Sequence, residues 1–159
     1  MNEEFKIRIA EKKDIATILK FIKELAVYEK LLHEVKADEK MLHYNLFENK
    51  YAEVIIAELG LIPVGFALYF HNFSTFLGKP GIYLEDLYVK EEYRGRGFGK
   101  KLLAHLADLT IERDCGRLEW SVLNWNKPAI DFYLSLGAAP MDEWITFRLT
   151  GAKLEALGS

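Results

Sequence analysis

Three glycines at alternate positions, set among four cationic side chains, separate a strand-like apolar run from a helix-like segment. The glycines are Gly95, Gly97 and Gly99, and the cations are Arg94, Arg96, Lys100 and Lys101. Glycine adopts positive φ angles without steric cost, and a helix N-terminus presents unpaired N–H groups to an anion. The pattern therefore predicts a strand, a phosphate-binding turn and a helix, in that order.

Hydrophobic periodicity along the rest of the chain predicts an α/β protein with a mixed sheet. The first helix should be capped by Asp14. The predicted strands are residues 5–9, 51–59, 64–70, 82–89, 117–123 and 144–149. The predicted helices begin near residue 14, near residue 38, inside the glycine segment and at residue 128. The strand–helix–strand unit from residue 82 to 123 should hold its two strands parallel and adjacent. A ligand is expected beyond the first of these strands, against the helix start.

Composition narrows the class of protein. A length of 159 residues predicts one domain with a sizeable core. The net charge of −3 does not suit a nucleic-acid-binding protein, which usually has a basic surface. The single cysteine, Cys115, excludes an intrachain disulfide, and no apolar run is long enough to cross a bilayer. We expect a cytoplasmic protein that binds neither nucleic acid nor membrane.

The glycine segment does not match the two common nucleotide-binding patterns. A P-loop would need glycine where Arg94 stands, and Ser or Thr where Lys101 stands. The dinucleotide pattern G-x-G-x-x-G would need glycine at position 100 or 102. What remains is [RQ]-x-x-G-x-[GA], from Arg94 to Gly99.

This last pattern resembles the acetyl-CoA pyrophosphate loop of the GNAT superfamily of N-acyltransferases. Three further blocks extend the resemblance to the diamine (spermidine/spermine) and thialysine acetyltransferase branch, over residues 7 to about 148. They are L-A-V-Y-E-K at residues 25–30, Y-L-E-D-L-Y-V at 83–89 and N-W-N-K-P-A-I-D-F-Y-L-S-L-G-A at 124–138. The resemblance implies a single domain, residues 1–159, with a central, mostly antiparallel sheet. One parallel pair would be splayed to admit CoA, helices would cover both faces, and the protein would be a homodimer.

The resemblance assigns a set of positions to acetyl-CoA. The loop would bind the pyrophosphate through backbone N–H groups, the end of the preceding strand would pair with the pantetheine arm, and an N-x-P turn would touch the cofactor. These positions are Leu87, Tyr88, Val89, Arg94, Gly95, Arg96, Gly97, Phe98, Gly99, Lys100, Asn126 and Pro128. Asn and Pro are also expected at a helix start for structural reasons alone.

The resemblance makes Tyr133 the proton donor to the departing CoA thiolate. A tyrosine has a pKa of about 10 and a thiol a pKa of about 8.5, so full transfer in water is uphill by roughly 2 kcal/mol. A strong hydrogen bond to the sulfur, or a lowered tyrosine pKa, would remove most of that cost. The alternative is an aromatic side chain that packs on its helix with Ile130.

Two adjacent carboxylates, Glu85 and Asp86, interrupt an apolar strand, where charge is costly unless it is paired or functional. Strand residues alternate between faces, so only one should point into the site, and the resemblance chooses Glu85 as the amine contact. A primary amine of pKa about 10.4 must lose a proton before it attacks, at a cost of about 4–5 kcal/mol at pH 7. The alternative for Glu85 is an ion pair with Arg117.

The acceptor is less defined than the donor. The resemblance adds Tyr28, Glu29 and Asp142 to the substrate site, which suits a polyamine, a diamine or a lysine-like amino acid. Two alternatives stay open: an acetyltransferase acting on protein amines, and an acetyl-CoA-binding module without turnover. The four histidines show no metal-ligand spacing, so we expect no metal site.

Overall fold

A computed structural model describes residues 3–159, and the backbone divides after Ser121 into two units. The N-terminal unit contains a five-stranded sheet in the order β1-β2-β3-β4-β5. The strands are β1 (Phe5–Ile9), β2 (Glu53–Leu59), β3 (Ile62–Ser74), β4 (Lys79–Val89) and β5 (Leu118–Trp120). Neighbouring strands are antiparallel except β4 and β5, which are parallel as predicted. The hairpin between β3 and β4 is tighter than expected, since both strands extend into residues 71–81.

Helices of the N-terminal unit cover both faces of this sheet. They are α1 (Ile15–Tyr28), α2 (Glu39–Leu42), which continues as a π-helical turn over His43–Glu48, and α3 (Phe98–Glu112). Phe21 of α1 packs with Val54 and Ile56 on one face. Ile55 points to the opposite face and is equally buried. The stacking of Phe98 on Phe5, 4.4 Å between ring centroids, places the start of α3 there.

Asp14 stands at the N-cap of α1 as predicted, but its side chain does not cap that helix. Instead, its carboxylate accepts a hydrogen bond from the Glu11 N–H at 2.7 Å and two from Arg8 at 2.8 Å. The preceding segment, Lys12–Asp14, is a 3₁₀ turn, and the Asp14 carboxylate bonds the backbone at the start of that turn rather than the start of α1. By contrast, Asp38 caps α2 directly, accepting from the Met41 N–H at 2.8 Å.

The C-terminal unit contains α4 (Lys127–Ser135) and α5 (Gly151–Gly158). Gly137, at φ 89°, ends the turn that follows α4, as predicted. The predicted strand over residues 144–149 is wrong, because no strand of the described residues pairs with this segment. Trp144 is 75% exposed and Phe147 is 92% exposed. Alternating apolar residues form a strand only where a neighbouring strand supplies the ladder hydrogen bonds.

None of the helices among residues 3–159 combines the length and the apolar character that crossing a bilayer requires.

Candidate active site

The glycine turn between β4 and α3 adopts the conformation that its sequence predicts. Gly95 has φ 81° and Gly97 has φ 79°, both in the left-handed region that favours glycine. A Cβ built on either residue would meet no atom within 4 Å. The two glycines are therefore required by their backbone conformation, and the surface above the turn stays open to a ligand.

Helix α3 begins at this turn with its first N–H groups directed outward. The Lys101 N–H donates to the Gly97 carbonyl at 3.0 Å, which closes the first helical turn. The N–H groups of Phe98, Gly99 and Lys100 precede it and have no carbonyl within the helix to bond. Gly97, the N-cap residue, has no side chain to cap them. The buried Phe98 ring anchors the turn, so its backbone rather than its side chain faces a ligand.

The parallel pair is short, and no strand among residues 3–159 pairs with the end of β4 on its β5 side. The pairing runs from Ile82 opposite Leu118 to Leu84 opposite Trp120, where β5 ends. Strand β4 continues to Val89 and pairs there with β3 alone, for example Val89 opposite Gly65. The backbone from residue 85 to 89 thus has a free edge in this sheet, on which an amide-bearing chain can form ladder hydrogen bonds.

A β-bulge lies at Glu85, the first of the two adjacent carboxylates. Asp86 pairs with Leu68, whereas Leu84 pairs with Tyr69, so Glu85 is the extra residue of the bulge. The bulge interrupts the alternation of faces, which the sequence pattern assumed to be regular. Arg117, the alternative partner of Glu85, instead pairs with Glu119 at 3.1 Å.

Glu85, Asp86 and Glu29 form an electrostatic group, called here the carboxylate cluster. Burial raises the pKa of Asp86 to about 6, with further increases from the charges of Glu85 and Glu29. Burial also raises the pKa of Glu29 above its ordinary value, and the Glu85 charge adds to the effect. Glu85 itself is exposed. Such a cluster is stabilised by a cation, which removes the mutual repulsion. Sequence reasoning weighed Asp86 beside Glu85 on the assumption of regular alternation, because nothing local signals the bulge.

Glu29 reaches this cluster from the end of α1, where Tyr28 contacts the glycine turn. The Arg94 guanidinium carbon lies 5.0 Å from the centroid of the Tyr28 ring and 5.6 Å from that of the Tyr88 ring. The Arg94 Nε–H donates to the Val89 carbonyl at 2.9 Å. The buried Tyr88 hydroxyl in turn donates to Glu24 of α1 at 2.8 Å. Sequence reasoning did not single out Glu24.

The remaining predicted residues lie in the C-terminal unit. The Asn126 side chain accepts from the Ala129 N–H at 3.4 Å and caps α4, and Pro128 occupies its first turn. Tyr133 follows on the same helix, partly buried, with its ring 5.7 Å from that of Phe132. Asp142 is exposed in a turn.

Among residues 3–159, no group of three or more His, Cys, Asp or Glu side chains is placed to hold a metal ion.

Comparison with known proteins identifies the family. The sequence profile of the acetyltransferase (GNAT) family matches residues 17–138. The chain belongs to the GNAT acetyltransferase family. A thialysine N-epsilon-acetyltransferase from Sus scrofa is 40% identical over 95% of each chain. An L-ornithine N5-acetyltransferase from Arabidopsis thaliana is 44% identical over 61% of this chain and 42% of its own length. An integron cassette protein from V. cholerae has the same fold, with a TM-score of 0.82 and 30% identity over 99% of this chain and 98% of its own.

Membership in the GNAT family makes this protein an N-acetyltransferase, with acetyl-CoA as the implied acetyl donor. Two features of the structure fit that donor. A helix N-terminus beside an open glycine turn suits a pyrophosphate, and the free edge of β4 suits the amides of a pantetheine arm. The predicted GNAT architecture, a mostly antiparallel sheet with one splayed parallel pair, is confirmed.

Proposed function

We propose that this GNAT enzyme transfers acetyl from acetyl-CoA to a primary amine of a small cationic acceptor: a polyamine, a diamine or a lysine-like amino acid. The observation that carries the proposal is the carboxylate cluster of Glu29, Glu85 and Asp86, beside the free edge of β4. The two relatives named above, which act on thialysine and L-ornithine, support it, since both acceptors are small amino acids with a side-chain amine.

The carboxylate cluster has two tasks in this proposal. Exposed Glu85 contacts the ammonium group, with Tyr28, Glu29 and Asp142 completing the substrate site. Asp86, with a pKa raised to about 6, accepts the ammonium proton, because a general base works best when its pKa lies near the operating pH. Removal of the ammonium proton to a carboxylate frees the lone pair that the reaction requires.

Acetyl-CoA, when bound, supplies a thioester carbonyl carbon as the electrophile. The backbone N–H groups of residues 95–100 hold its pyrophosphate with the charges of Arg94, Arg96 and Lys100, and the main chain of residues 87–89 holds the pantetheine arm. Asn126 and Pro128 orient the helix that carries Tyr133. As the amine nitrogen forms its bond to carbon, the carbon–sulfur bond breaks, and the Tyr133 hydroxyl gives its proton to sulfur. The nitrogen releases its second proton to water as the amide forms, and water restores the proton of Tyr133.

The experiment that tests the proposal follows CoA thiol release with spermidine, putrescine, lysine, L-ornithine and thialysine as acceptors. We expect release with at least one of them. Glu85→Gln should lower kcat/KM for that amine by about 10- to 100-fold, because a hydrogen-bonded charge pair contributes roughly 1.5–3 kcal/mol. The matched control is Glu91→Gln, an exposed acid beyond the end of β4, which should change little.

Acetyl-CoA binding without release from any acceptor would contradict the proposal and favour the module without turnover. Release only with lysine-containing peptides would favour protein amines as acceptors. We also propose that the chain functions as one domain and as a homodimer. Light scattering of the purified protein tests the homodimer.

A further inference from the structure

The Arg94 side chain leaves the glycine turn and lies between two tyrosines of different elements. Its guanidinium is 5.0 Å from the ring of Tyr28, the last residue of α1, and 5.6 Å from the ring of Tyr88 on β4. The hydrogen bond from Nε to the Val89 carbonyl fixes its direction. A cation over an aromatic face is attracted by the negative potential of the ring. Arg94 therefore joins the proposed pyrophosphate turn to the proposed amine-binding end of α1.

A second contact between α1 and β4 lies beside the first. The Tyr88 hydroxyl donates to Glu24 Oε1, and Glu24 Oε2 is buried with no hydrogen-bond partner among the described residues. Tyr88 thus holds α1 through its hydroxyl and holds Arg94 through its ring. The hydrogen bond of Tyr88 and the contact of Arg94 with Tyr28 thus both join β4 and the glycine turn to the C-terminal half of α1.

Arg96 provides an internal comparison, because it is a second arginine of the same turn. Its guanidinium lies 5.5 Å from the ring of Tyr93, which belongs to the same connection between β4 and α3. Removing Arg96 takes the same charge from the turn as removing Arg94. Its contact with Tyr93 joins the turn only to itself and does not reach α1.

We propose that Arg94 is a positioning residue that couples the cofactor turn to the end of α1, so that CoA binding and amine binding strengthen each other. This inference rests on the proposed function. An anion held by the turn restricts the backbone of Arg94, and its guanidinium then holds Tyr28 and, through it, Glu29. Coupling between two sites is reciprocal: whatever CoA binding contributes to amine affinity, amine binding contributes to CoA affinity.

Hydrogen exchange measures this coupling without turnover and without a known acceptor. The N–H groups of Glu29, Lys30 and Leu31 donate to carbonyls of the last turns of α1 and serve as reporters. Saturating CoA should slow their exchange about three- to tenfold in the wild-type protein, the range of a coupling near 1 kcal/mol. Arg94→Gln at saturating CoA should abolish the slowing, whereas Arg96→Gln should retain it.

Two variants of Tyr28 test the coupling from the other side and leave the turn intact. Tyr28→Phe keeps the ring and should keep the slowing, whereas Tyr28→Leu should lose it. In steady-state assays with the best amine of the panel, Arg94→Gln and Tyr28→Leu should raise the amine KM about three- to tenfold more than they lower kcat. If Arg94→Gln does not bind CoA, Tyr28→Leu decides the question.

CoA binding that leaves the reporter amides unchanged in the wild type would overturn the coupling while the proposed function stands. Equal slowing in the wild type, Arg94→Gln and Tyr28→Leu would do the same. A wild-type protein that does not bind CoA would overturn both the proposed function and the coupling.

Discussion

The Arg8 guanidinium donates two hydrogen bonds of 2.8 Å to the Asp14 carboxylate, and its Nε lies 3.0 Å from Glu58 Oε1. The Asp14 side chain is only 7% exposed, and that of Glu58 only 8%. One arginine thus pairs with two buried carboxylates, from the turn before α1 and from β2, and Lys6 Nζ lies 3.7 Å from the same Glu58 side chain. Removing one partner of a buried pair leaves an uncompensated charge, at a cost of about 3–5 kcal/mol when burial is complete.

Arg8→Met should therefore lower the free energy of unfolding by about 2–4 kcal/mol, measured by urea denaturation at pH 7. The control is Lys13→Met, which removes an exposed ion pair with Glu11 and should cost less than about 1 kcal/mol. Arg8 holds the pKa of Asp14 below its usual range. The stability that this ion pair contributes is present above the ordinary pKa of an aspartate. It disappears as the pH falls through the lowered pKa of Asp14. A deficit in Arg8→Met that persisted undiminished at pH 2 would contradict this account.

The effect of Asp86 on the free energy of unfolding has the opposite pH dependence, because its folded-state pKa is raised to about 6. Above that pH the ionised carboxylate opposes folding, and below the ordinary aspartate pKa it is neutral in both states. Asp86→Asn should therefore stabilise the protein by about 3 kcal/mol at pH 8, and the gain should shrink between pH 6 and pH 4. Thermal unfolding at a series of pH values measures it. Asp108→Asn, an exposed aspartate on α3, should stay within about 0.5 kcal/mol of wild type throughout.

Two glycines of the same turn should respond differently to alanine. Gly97→Ala forces a side chain into φ 79°, which costs about 1–2 kcal/mol and should also weaken CoA binding. Gly99 is helical, and a Cβ there would lie 4.0 Å from Val89 Cγ2, an ordinary contact. Gly99→Ala should therefore keep or raise the melting temperature, since alanine is the better helix former. Equal melting temperatures for the two variants would show that the backbone conformation of Gly97 carries no such constraint.

Tyr133→Phe tests the proposed proton donor. We expect kcat to fall about 100-fold with little change in CoA affinity, because general acid catalysis contributes about 10²–10⁴. The control is Tyr83→Phe, which removes a tyrosine hydroxyl bonded to Ser121 at 2.6 Å and should leave kcat within about twofold. Unchanged turnover in Tyr133→Phe would sink the assigned role and leave the fold untouched.

Local features of the fold followed from local patterns. The glycine turn, the start of α3, the start of α2 near Asp38 and the turn at Gly137 depend on residues within a few positions of each other. Positive φ at glycine and side-chain capping are short-range effects, so the sequence of the local segment suffices to predict them. The parallel pairing of β4 and β5 could also be predicted from the sequence, because a strand–helix–strand unit has one favoured arrangement.

Features that depend on distant partners could not be read in this way. The alternation of Glu85 and Asp86 is broken because β4 carries one more residue than β3 at that point, a property of the pairing rather than of either strand. Asp14 was expected to cap α1 and instead bonds Arg8, because the two approach each other only when β1 takes its place in the sheet.

The sequence thus specified a phosphate-binding turn at a helix start and the family to which the chain belongs, since both are written in contiguous residues. The carboxylate cluster, the unpaired end of β4 and the contact of Arg94 with Tyr28 arise from the tertiary structure. Each joins residues far apart in the chain, and neither the register of a sheet nor the burial of a charge is a property of a local segment. For the same reason residues 144–149 carry a strand pattern without forming a strand in this chain.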